Sequence, residues 1–69
     1  MDGEALILLA QALATSKRRE EAFLRYETAA DLTGFEARAT KLHGELLTKE
    51  KRYEEAIPLL KVSLQYEEN

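Results

Sequence analysis

The sequence repeats itself. Lys17-Arg18-Arg19-Glu20-Glu21-Ala22 returns as Lys51-Arg52-Tyr53-Glu54-Glu55-Ala56, and Ala22 and Ala56 stand 34 residues apart. Ala5 and Ala39, Leu8 and Leu42, and Leu13 and Leu47 share that offset, which brings the identities between the two halves to eight. A fixed period of this length marks a stack of supersecondary units, each too small to bury its apolar face alone. The expected trade of such a chain is binding another polypeptide.

With 69 residues the ceiling is one compact unit. A core of that size is marginal unless something fastens it. The chain has no cysteine and a single histidine, which removes disulfides, thiolate chemistry and a zinc cluster. No cofactor or metal is expected, and stability has to come from packing or from association. Net charge is −3, with signs mixed along the chain. A nucleic-acid partner wants a clearly basic face, so none is expected. The longest apolar run, Ala5 to Ala14, is ten residues with Gln11 inside it, and a membrane span needs about 20. Asp2 and Glu4 stand where a secretory signal would carry cations. The expectation is a soluble, cytoplasmic protein with no membrane partner.

Gly3, Gly34, Gly44 and Pro58 are the only punctuation, and no apolar-polar alternation suggests a strand. The periodicity predicts four helices, over about Gly3 to Thr15, Arg19 to Leu32, Phe35 to Thr48 and Tyr53 to Glu67. The second places Ala22, Phe23, Tyr26, Ala29 and Ala30 on one side, and the third Ala39, Leu42, His43, Leu46 and Leu47. Glu20-Glu21 and Glu54-Glu55 fall in first turns, where the helix dipole favours anions, and Lys17-Arg18 and Lys51-Arg52 follow helix ends, where cations suit the exposed carbonyls. Glu45 and Lys49 form an i,i+4 pair in the favourable order. Gly34 fits a left-handed residue after a helix. Gly44 and its counterpart Ala10 are small where a neighbouring helix crosses closely, and Pro58 bends the fourth helix without ending it.

With the period, the helix pairs and the small residues in place, the chain resembles the tetratricopeptide repeat family over nearly its full length. The repeats cover about residues 3–36 and 37–69, an all-α domain of two tandem antiparallel helix hairpins. Leu9-Ala10 with Leu13 match the pattern of the family's first helix, and Gly44 with Leu47 repeat it, His43 replacing the leucine. Tyr53, Ala56 and Leu60 match the second helix with Ser63 in place of the last alanine; Ala22, Tyr26 and Ala29 match it in repeat one, where Arg19 replaces the usual tyrosine. Thr40 stands where a large residue is usual, and the proline that closes a repeat is missing.

The resemblance implies a right-handed superhelix that binds a peptide or partner helix in a groove lined by the first helix of each pair. On that basis the groove residues are Ile7, Gln11 and Ala14 from helix one, with Arg38, Lys41, Glu45, Thr48 and Lys49 from helix three. The three cations suggest a mildly basic groove for an acidic or amphipathic segment. One subgroup of the family grips a terminal carboxylate with Lys and Asn. Ile7 and Gln11 stand at those places and a third repeat is absent, so that clamp is not expected.

Three or more repeats are normally needed to close such a core. Nine of the ten residues from Ala5 to Ala14 are apolar, the mark of a helix covered all round. The fourth helix has an expected hairpin stripe of Tyr53, Ala56, Ile57, Leu60 and Leu64 and a second stripe of Leu59, Val62 and Tyr66 on another side. That second stripe would meet a following repeat or another subunit, so the chain is read as a homo-oligomer or as part of a longer repeat array.

Nothing in the sequence argues for catalysis. His43 sits on an apolar face without a second histidine, and adjacent glutamates on a helix diverge by about 100° rather than converging. The sequence reading is an interaction module and no enzyme. Its alternative is a self-association element working through uncapped terminal helices.

Overall fold

The computed structural model describes residues 2–68, the last without its side chain. These residues form four helices and no strand: α1 (Gly3–Thr15), α2 (Arg19–Ala30), α3 (Glu36–Lys49) and α4 (Tyr53–Glu68). Helix α1 packs on α2, α2 on α3 and α3 on α4, giving helical hairpins in sequence. The Cα trace forms a slab of 34 × 29 × 12 Å. Among the described residues no helix is long and apolar enough to cross a membrane.

The shared Lys-Arg pairs build the same turn twice. Lys17 and Lys51 adopt left-handed conformations with φ of 65° and 62°. The Arg18 amide donates to the Leu13 carbonyl at 2.8 Å and the Lys17 amide to that of Ala14 at 3.1 Å. Arg52 and Lys51 repeat the pattern onto Leu47 and Thr48 at 2.9 and 3.0 Å. This double bond satisfies carbonyls that a helix end leaves open. The lysines thus hold a backbone position usually given to glycine, which a reading of their charge alone does not find. Gly34, with φ of 94°, supplies the left-handed residue between the hairpins. At the start of α1 the Asp2 carboxylate accepts from the Glu4 amide at 3.1 Å, a capping bond.

The core draws on all four helices, its larger side chains being Leu6, Ile7, Phe23, Tyr26, Leu46 and Leu47, with Ala56 from α4. A methyl added at Gly44 would lie 2.9 Å from Leu60, so α3 and α4 approach here as closely as the sequence suggests. One added at Gly3 would lie 2.5 Å from the Phe35 ring, which covers the start of α1.

The expected faces of α4 are rotated. Its buried line is Ala56 and Ser63, with Leu59 and Leu60 half-buried beside it. Tyr53, Ile57 and Leu64, expected inside the hairpin, are exposed at 53, 51 and 55 %. Leu59, expected on the outer stripe, packs instead against the core, while Val62 and Tyr66 of that stripe are exposed. At the close crossing Gly44 faces the Leu60 side chain and the Ala56 carbonyl, which turns the side of α4 that carries Ala56, Leu60 and Ser63 toward α3 and leaves Tyr53, Ile57 and Leu64 exposed. The helix continues through Pro58, as the sequence reading requires.

Candidate partner-binding groove

A groove of about 610 Å³ lies between α1 and α3. Tyr26 reaches it from α2, and Ala14, Leu42 and Leu46 add apolar wall, so the α1–α2 and α3–α4 hairpins both shape it. Gln11 and Thr15 on α1 and Glu45 and Lys49 on α3, each pair one turn apart, supply the polar groups. Volumes of this order hold an anchoring side chain and its neighbours.

Of the eight expected groove residues, Gln11, Ala14, Glu45 and Lys49 come together here. Ile7 does not, and the expectation is corrected: it is 0 % exposed, closed into the core, and has no surface to offer a partner. Arg38 pairs with Glu4 across the hairpins at 3.4 Å, and Lys41 with Glu67 at 3.9 Å, so these cations are occupied beside the groove. The Thr48 hydroxyl donates to the Gly44 carbonyl of its own helix at 2.9 Å. Leu42, Leu46 and Tyr26 enter the lining unannounced. Leu42 and Leu46 fall on the apolar stripe of α3, whose edge is enough to have signalled them.

Glu45 and Lys49 are among the described charges that form no ion pair, the expected helical pair included. Both therefore remain available to a partner. The Glu45 charge also acts on Tyr26, whose phenol is pushed above its ordinary pKa by burial first and by that carboxylate second. The groove is thus a phenol floor and leucine wall with one anion and one cation on its rim.

On another side of the molecule a second groove, of about 500 Å³, is lined by Phe23, Leu24, His43 and Arg52 with Glu20, Glu27 and Glu55. Its charges are largely spoken for. Arg52 donates to both carboxylate oxygens of Glu55 at 3.0 and 2.9 Å and to Glu20 at 3.1 Å, and its guanidinium lies 5.1 Å from the Phe23 ring centre. This Arg52 fork fastens the start of α4 to α2. His43 is buried and stacks on Phe23 and Tyr26 with centroids 5.1 and 6.1 Å apart. Burial lowers its pKa, Arg52 adds to that, and Glu27 and Glu55 oppose it. The histidine therefore packs as a neutral ring between repeats.

Comparison with protein-family models, with curated proteins and with solved structures finds no match for this chain.

Proposed function

We propose that this chain is a protein-protein interaction module of tetratricopeptide-repeat type, which takes a peptide or partner helix in the α1–α3 groove and through its apolar end faces. The 34-residue period, the two hairpins and the small residues at their crossings support the family reading. The observation that carries the functional reading is the pairing of an apolar wall with two uncommitted charges, Glu45 and Lys49, across one helical turn of α3. A segment suited to it carries an apolar anchor for Leu42, Leu46 and Tyr26, with charged or amide groups near it to meet Glu45 and Lys49. The mechanism is docking, with no covalent step, in a soluble setting such as the cytoplasm.

Peptides selected against the chain from a random display library test this. Their affinity for the wild type and for Glu45→Lys/Lys49→Glu, read by fluorescence anisotropy, is expected to differ by about tenfold or more at unchanged helicity. Selection without enrichment, or equal affinity for both proteins, contradicts it.

The exposed Tyr53, Ile57 and Leu64 on α4 favour a second reading, self-association through the terminal helices. Large apolar side chains in one row on an end helix want a cover.

A further inference from the structure

We infer that the uncovered row on α4 receives α1 of a second copy of this chain, stacked head to tail so as to reproduce the α2–α3 junction. This deepens the interaction-module reading by naming the occupant of one end face. The template is inside the molecule. Moving the α2–α3 junction on by one 34-residue period carries α2 onto α4, and α3 onto α1 of the next copy.

Under that shift Phe23 and Tyr26, the rings that His43 covers, become Ile57 and Leu60, and His43 becomes Leu9 of the incoming copy. Phe23 is buried at 6 %, whereas its counterpart Ile57 is exposed at 51 %; Leu9, exposed at 38 %, is the apolar knob the site lacks. Apolar thus meets apolar where the internal junction has a stacked aromatic set.

The charges carry an independent argument. Three ion pairs bridge the repeats internally: Arg38 with Glu4, Arg52 with Glu20, and Arg19 with Glu50. Shifted by one period, the first becomes Arg38, which already holds Glu4 of its own copy, against Glu4 of the incoming copy. The second becomes Glu54 against the incoming Arg18, which would bridge it and Glu21 as Arg52 bridges Glu20 and Glu55. Both keep opposite signs. The third becomes Tyr53 against Ser16, two hydroxyls, so no like charges meet at any of these positions. Glu54 is exposed and forms no ion pair among the described residues, which leaves it open for Arg18. A symmetric α4-to-α4 dimer draws on none of this complementarity.

Because each copy offers one acceptor end and one donor end, the contact is heterologous and propagates. Sedimentation velocity on the chain from micromolar to millimolar concentration is expected to show mass rising past the dimer. Ile57→Asp closes the α4 end and Leu9→Asp the α1 end, so each variant alone is expected to stay monomeric with wild-type circular dichroism. Mixed, they retain one working end each and form a 1:1 heterodimer that grows no further. The surface variants Glu54→Arg and Arg18→Glu repeat the logic without touching apolar groups: each weakens growth, and the double exchange in one chain restores it. Three results overturn the inference: a wild type monomeric throughout (the occupant being then a different helix), a Leu9→Asp variant that associates like the wild type, or a mixture that stays monomeric. None of these disturbs the groove, whose peptide affinity is read separately on Ile57→Asp.

Discussion

The His43 imidazole lies stacked on the Phe23 ring, centroids 5.1 Å apart and planes 26° from parallel, and this contact joins one helical hairpin to the next. A charged ring there would lose its hydration between Phe23 and Tyr26 with Arg52 near by, which is why burial first, and Arg52 after it, lower the pKa against Glu27 and Glu55.

The sign of the pH effect follows. The folded state holds the proton less tightly than the unfolded chain, whose histidine titrates near the ordinary 6.5. The stability this contributes is complete above that value and is lost as pH falls below it toward the depressed native pKa. Urea midpoints taken between pH 7.5 and pH 5 are expected to fall, about the range set by a histidine titration. His43→Phe keeps the stack and should flatten that part of the slope. An identical slope in the variant assigns it to other groups.

Gly44 and Leu60 give a prediction whose sign depends on background. Gly44→Ala gains about 1 kcal/mol of helix propensity, but its methyl would stand 2.9 Å from Leu60 Cγ and Cδ2. Overpacking of about 1–3 kcal/mol outweighs the gain in the wild type. With Leu60→Ala already in place, the same change should stabilise by about 1 kcal/mol. Denaturant titration of the four proteins in the cycle reads both signs.

Lys51 and Lys17 hold left-handed positions at helix ends. Glycine relieves the side-chain strain there, less the entropy it loses on folding. Lys51→Gly should raise stability by about 0.5–1 kcal/mol, seen as a higher melting temperature. A lower one means the lysine charge matters more than its backbone.

Ile7 and Gln11 separate packing from binding on one helix. Ile7→Ala empties a fully buried site and should lose about 2–5 kcal/mol, enough to unfold much of so small a core. Gln11→Ala is expected to leave the melting temperature within error and lower affinity for groove-selected peptides. The two readouts must part company in this way.

The helix bounds and hairpins were legible because strong periodicity and doubled charge clusters mark each end. Gln11, Ala14, Glu45 and Lys49 were legible as groove residues through the family resemblance. Ile7 was not. The same resemblance places it on the groove, yet it is fully buried in the core cluster, whereas its counterpart Lys41 on α3 stays exposed at the surface. Helix α4 misled for another reason. It carries large apolar residues at 53, 57 and 64 and again at 62 and 66, so spacing alone cannot choose the inner face. The choice is made at Gly44, whose missing side chain makes room for Leu60 beside the Ala56 carbonyl. Ala56 and Ser63 are therefore buried with Leu59 and Leu60 beside them, while Tyr53, Ile57 and Leu64 stay exposed.

The central claim is that partners dock between α1 and α3. The most direct measurement is a ¹⁵N chemical-shift titration of the chain with a library-selected peptide. The account predicts perturbations gathered on Gln11, Ala14, Tyr26, Leu42, Glu45 and Lys49. Perturbations gathered instead on Glu20, Leu24, Glu27 and Glu55 would place binding in the other groove and contradict it.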